Sequence, residues 1–122
     1  MNIETLYPLV TEAIRRAEAL EDLGSPEARP AFLEVSRLEE RIADLLPLAE
    51  YEGVIARRGA VRAAINAHEF GRAQDLATRY ETEDGIDGAL AADLAVLKAQ
   101  ASKMARQQSQ RRKKNKMQEA GG

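Results

Sequence analysis

Apolar side chains recur every three to four residues from Leu6 to Ala105, and then the recurrence stops. That period belongs to helices with one buried face. No stretch reads as a strand. The vocabulary agrees: Ala, Leu, Glu and Arg dominate, Trp is absent, aromatics make up 4% of the 122 residues, and runs of β-branched residues are missing. The expectation is an all-α fold, a small antiparallel bundle or stacked hairpins of four to five helices. A chain of this size buries roughly two-thirds of its unfolded surface, enough for one modest core. A core built of Ala and Leu brings helices close together but has few large anchors.

Breakers divide the pattern. A first helix over about 6–23 carries Leu6, Val10, Ala13, Ala17 and Leu20, with Ile14 alongside. Pro8 is tolerated there if Thr5 is the cap, since a proline at the third helical position loses no hydrogen bond. Gly24 closes this helix, and Ser25-Pro26-Glu27 starts the next. The second helix runs to Leu46 through Ala31, Phe32, Val35, Leu38, Ile42 and Leu45, with Pro30 setting off or kinking its first turn. A third, about 48–66, carries Tyr51, Val54, Ile55, Val61, Ala64 and Ile65. Its interior Gly53 and Gly59 each cost about 1 kcal/mol relative to Ala, which points to close helix contact or to a kink at Gly59. A short helix over about 69–82 turns Phe70, Ala73, Leu76, Ala77 and Tyr80 inward. After the acidic break at Glu83–Gly88, Asp87 caps a fifth helix with Leu90, Leu94, Leu97, Ala101 and Met104 on its buried edge.

The segment from Ala63 to Ala77 resembles the turn and second helix of a tetratricopeptide hairpin: a short turn leads to the aromatic Phe70 and then to Ala73. The resemblance covers one hairpin, no repeat of that length recurs, and His68 stands where the turn glycine would be. It implies an antiparallel helical hairpin.

Charge is segregated along the chain. Residues 1–102 hold 11 Lys/Arg against 19 Asp/Glu, a net of −8. Residues 103–122 hold seven cations and the single acid Glu119, a net of +6. The organisation expected is a helical domain over 1–105 and a basic, flexible tail over 106–122, disordered when the protein is alone.

Catalysis finds little support. There is no cysteine, hence no disulfide, thiolate metal site or thiol nucleophile. His68 is the lone histidine; no Glu-x-x-His or His-x-x-x-His spacing accompanies it, so a turn residue is expected rather than a general base or metal ligand. The acidic loop Glu81–Gly88 fails the EF-hand register: with Gly88 at the invariant glycine, Leu94 stands where the bidentate Glu belongs, and with Gly85 there, position one is Tyr80. The pairs Glu39/Glu40, Glu50/Glu52 and Glu21/Asp22 are expected on polar faces as surface charge. No catalytic residue, metal set or cofactor motif can be assembled, and no enzyme is expected. The beginning MNIETLYPLV lacks the features of a secretory signal and no apolar run is long enough to span a bilayer, so a soluble cytoplasmic protein is expected.

The tail is the strongest candidate for binding. Lys103, Arg106, Arg111, Arg112, Lys113, Lys114 and Lys116 are interleaved with amides and no aromatic, so they would neutralise phosphates or an acidic partner without reading sequence. Arg57, Arg58 and Arg62 form a possible second patch, or a solvated face paired with nearby acids. The reading placed first is a non-catalytic protein–protein interaction module, an adaptor or accessory subunit that docks a partner protein or a second copy. Its alternative is a nucleic-acid-associated accessory protein that grips phosphates non-specifically through the tail. No membrane partner is expected, because no apolar face accompanies the charges.

Overall fold

The computed structural model describes residues 2–121, with side chains through Glu119. It contains five α-helices: α1 (Ile3–Asp22), α2 (Ala28–Leu45), α3 (Tyr51–Asn66), α4 (Phe70–Glu81) and α5 (Gly88–Gly121). No strand occurs among the described residues.

The cap of α1 is Asn2 rather than Thr5. The Thr5 N–H and the Thr5 hydroxyl both donate to Asn2 Oδ1, each at 2.9 Å. Pro8 therefore lies inside the helix. Its absent N–H deprives the Glu4 carbonyl of a helical donor, at an exposed stretch where water replaces it. Pro30 is the third residue of α2, so the helix absorbs it within its first turn instead of setting that turn apart. Asp87 caps α5 as expected, accepting from the Ala89 N–H at 3.0 Å.

Two helices end in the same turn. At the end of α1 the Gly24 N–H donates to Glu21 O and the Ser25 N–H to Leu20 O, with Gly24 at φ 66°. At the end of α3 the His68 N–H donates to Ile65 O and the Glu69 N–H to Ala64 O, with His68 at φ 60°. Both are Schellman caps, whose left-handed residue is usually glycine. His68 is the only non-glycine residue at positive φ among those described.

Short connections turn each helix back on its predecessor, and α5 also returns onto α3, which touches α2, α4 and α5. The main core joins Leu6 and Val10 of α1 to Ile42, Val61, Leu76, Tyr80, Leu90 and Leu94. A smaller one gathers Ala13, Ala17, Phe32, Val35 and Ala63. Fully buried alanines (Ala17, Ala60, Ala64, Ala73, Ala77 and Ala101) sit between the helices and let them approach closely. The two α3 glycines serve that contact rather than a kink, since α3 runs unbroken. A methyl group at Gly53 would overlap the Pro47 carbonyl, and one at Gly59 would press on the Glu39 carboxyl at 3.1 Å.

Three expected inward residues face out: Leu45, Ile55 and Tyr51, the last 74% exposed. They flank the α2–α3 connection, where no third helix covers them. Glu39, expected on the surface, is buried.

The larger difference concerns residues 106–122. They were expected to be flexible, but α5 continues without interruption to Gly121; Gly122 lies outside the described residues. Arg, Gln, Lys, Met and Glu are good helix formers, and extending a formed helix avoids the cost of nucleation. What changes at Ala105 is the packing. Up to there, Leu90, Leu94, Leu97 and Ala101 are buried and Met104 half-buried; beyond it nearly every described side chain is exposed. Each fully buried large side chain contributes roughly 1.5–3 kcal/mol, so α5 is anchored by its first half alone. The second half runs on for about 24 Å, its first turns beside the start of α2 across open clefts.

Candidate functional site

Four arginines within the bundle, Arg57, Arg58, Arg72 and Arg79, are committed to structure. Arg57 is only 6% exposed. It donates from Nε to Glu83 (2.9 Å) and from Nη1 to the carbonyls of Leu46 (3.0 Å) and Gly53 (2.9 Å), with its guanidinium 5.7 Å from the Tyr80 ring. Arg58 pairs with Asp93 at 2.8 Å, and Arg62 stands exposed without an ion pair. The three do not converge on one patch, because Arg57 turns into the core.

A second polar seam joins α2 to α4, whose backbones do not pack on each other. Buried Ser36 donates to Ala60 O at 2.7 Å and accepts from Arg72 Nε at 3.0 Å. Arg72 also reaches Glu40 at 2.7 Å, and Arg79 reaches Glu40 at 3.0 Å and Asp44 at 3.3 Å. Burial would raise the Glu40 carboxyl; the hydrogen bonds and charges of Arg72 and Arg79 outweigh it and hold Glu40 below its ordinary range. Burial pushes the Tyr80 hydroxyl up to about 12, partly opposed by Arg79. Every carboxylate and guanidinium in this seam has a partner, so it holds helices together and leaves no reactive group free.

Glu39 differs. It makes no hydrogen bond to protein, packs against Gly59, and burial pushes it up to about 7. The acidic loop between α4 and α5 is likewise occupied, since Glu83 holds Arg57 and Glu81 pairs with Lys98 at 2.6 Å. Among the described residues, no group of three or more His, Cys, Asp or Glu side chains could hold a metal ion.

The seven α5 cations present the opposite picture. Lys103, Arg106, Arg111, Arg112, Lys113, Lys114 and Lys116 are exposed and make no ion pair among the described residues. At about 100° per residue they surround the helix rather than form a stripe. Arg111 and Arg112 face back towards the bundle. With Met104, Gln107, Phe70, Arg29 and His68, Arg111 lines a cleft of about 280 Å³. Arg112 helps line an adjoining one of about 330 Å³ with Arg29, Pro30, Leu33, His68 and Glu69, and Gln108 borders both. Arg29 and His68 also border a third hollow, beside Gly24 and Ser25. The space exists because α5 does not pack on α2.

Periodicity had placed His68 in a turn and offered no reason to connect it with Arg29 or the basic segment. One signal was present: a histidine where the turn wants glycine. No helix is long and apolar enough to cross a membrane among the described residues. No protein family, curated protein or solved structure matches this chain.

Proposed function

We propose that this chain is a non-catalytic helical interaction module, an accessory part of a larger assembly, and that the partner gripped by its basic end is nucleic acid. One observation carries this reading: residues 106–119 of α5 carry exposed cations on all sides, with no buried side chain and no ion pair among the described residues. A helix that docks on a protein groove needs an apolar stripe, and this one has none. A helix ringed by cations suits a groove walled by phosphates, and the duplex major groove is wide enough to admit one. The acidic body, net −8 over residues 1–102, limits contact to the basic end and sets its orientation.

Binding of a labelled duplex at rising salt tests the reading. Replacing Arg111, Arg112, Lys113 and Lys114 by Gln should flatten the salt dependence of log K by about three to four, at roughly 0.9 per lost phosphate contact. Equal affinity and equal slope for the two proteins would end it. A protein partner or a second copy is the second reading, favoured by exposed Tyr7, Leu9, Leu45, Tyr51 and Ile55 around the start of α1 and the α2–α3 connection. A clean monomer by light scattering would remove the second copy.

A further inference from the structure

We propose that the clefts between the start of α2, the α3–α4 turn and the basic half of α5 seat the terminal phosphate of a nucleic-acid strand, held by Arg29 and His68, which border both, with Arg111 lining one cleft and Arg112 the adjoining one. The inference rests on the reading above for its ligand class, and it adds a place in the bundle where a particular phosphate is fixed.

Three independent features converge there. The first is charge: Arg29, Arg111 and Arg112 line the adjoining clefts and none has an ion-pair partner among the described residues, although Glu69 and Glu21 stand at the margins. The second is the backbone. The α4 start borders the cleft through Glu69 and Phe70 and has no side-chain cap, so its first-turn amides add positive potential. At the α2 start Ser25 already accepts from the Glu27 and Ala28 N–H groups and Pro30 has none, so that end contributes the Arg29 side chain.

The third feature is strain. Gly24 and His68 occupy equivalent positions in two identical helix caps, yet only the first is glycine. A left-handed residue other than glycine costs about 1–2 kcal/mol. The imidazole held at φ 60° packs against Phe70 at 5.3 Å and borders all three hollows, which places a strained polar ring at the cleft. Burial, and after it the charge of Arg29, hold His68 below its ordinary range, so the free protein disfavours the charged ring. A terminal phosphate dianion beside His68 and Arg29 would reverse the electrostatics and draw a proton onto the ring. Glu69 and Glu21 would favour that proton as well, and the arginines would resist it.

His68 is the only histidine, so its imidazole C–H resonances report on the cleft without assignment of other residues. The intact chain is titrated with inorganic phosphate, with a short single strand bearing a 5′-phosphate, and with the same strand lacking it. A saturable His68 shift accompanied by a raised ring pKa is expected with the phosphorylated strand. The same shift at comparable concentration with inorganic phosphate, or with the unphosphorylated strand, overturns the terminal-phosphate seat, the first in favour of free phosphate and the second in favour of backbone diesters. Arg29→Ala should weaken the response about tenfold, as expected for loss of a charge-assisted hydrogen bond. His68→Gly keeps the test clear of misfolding, since glycine suits this turn: its Tm should rise while its affinity for the phosphorylated strand, read by anisotropy, falls. A silent His68 with every probe, together with unchanged strand affinity in both variants, overturns the phosphate seat while leaving the duplex reading intact. A responsive His68 in a chain that binds no duplex would do the reverse.

Discussion

Arg57 lies inside the bundle with its guanidinium on Glu83 and two backbone carbonyls, whereas Arg111 stands on the α5 extension with no ion-pair partner among the described residues. Both are arginines on helices, and burial makes the difference. A cation withdrawn from water is tolerable only when its donors are satisfied, so Arg57 is fixed by its acceptors and has nothing left to offer a ligand. A cation left in water costs folding nothing and keeps its donors free. The same contrast separates Arg72 and Arg79, which reach Glu40, from Arg29 and Arg112 at the cleft. Between helices the paired arginines Arg57, Arg72 and Arg79 hold structure, whereas Arg29, Arg111 and Arg112 keep their donors free at the clefts.

The comparison breaks most sharply at Arg57. Arg57→Ala would leave Glu83 partly buried and unpaired, strip the Leu46 and Gly53 carbonyls of a donor, and open space beside Tyr80. A loss of about 3 kcal/mol is expected in urea unfolding, near the lower end for a broken buried pair because Glu83 remains partly solvated. Duplex affinity per folded molecule should stay unchanged. A loss below about 0.5 kcal/mol would mean that Arg57 is as dispensable as a surface cation.

Glu39 is the anionic counterpart, buried without a hydrogen bond. Its folded value of about 7 lies above the ordinary 4.5. Between those values the folded chain keeps a proton that the unfolded chain has released, so the contribution of Glu39 to stability declines as pH rises through this window. The difference between pH 4.5 and pH 8 is on the order of 3 kcal/mol at most. Glu39→Gln should therefore stabilise the protein at pH 8 and change it little near pH 4.5, measured as the difference between variant and parent at each pH. Equal differences at the two values would show that Glu39 ionises freely in the fold.

These residues also show where sequence reasoning reached its limit. The helices, their order and most buried positions follow from local spacing, which the chain carries in full: Leu6, Val10, Ala13 and Ala17 are buried, as are Leu90, Leu94 and Leu97. Glu39 was assigned to the surface because it is charged, yet it stands four residues after Val35 and three before Ile42, on the buried stripe, opposite Gly59. An acid on an apolar stripe was a readable signal; its approach to Gly59 on another helix was not. The Arg29–His68–Arg111 cleft was not readable in the same way, since it depends on which helix ends meet and on α5 passing α2 without touching it. For the basic segment, the end of the apolar pattern located the end of packing, while the helix itself continues to Gly121.

The α5 extension offers the finest test, because its two halves share one backbone and differ in what covers it. Leu90, Leu94, Leu97 and Ala101 are buried, so amides from about residue 92 to 104 should be protected from hydrogen exchange nearly as strongly as the core of α3. From residue 106 onward only intrinsic propensity holds the helix, and the i,i+3 and i,i+4 pairs Arg111/Lys114, Lys113/Lys116 and Arg112/Lys116 repel. Exchange there should be close to that of an open chain even though helix predominates. Each repulsion is worth only about 0.2–0.5 kcal/mol, so Gln at 111–114 should raise the helicity of the free extension slightly, and bound duplex should raise its protection in the parent alone. Protection beyond residue 106 equal to that at Leu94 in the free chain would mean that something covers the extension. The contrast between committed and available arginines would then no longer hold along α5.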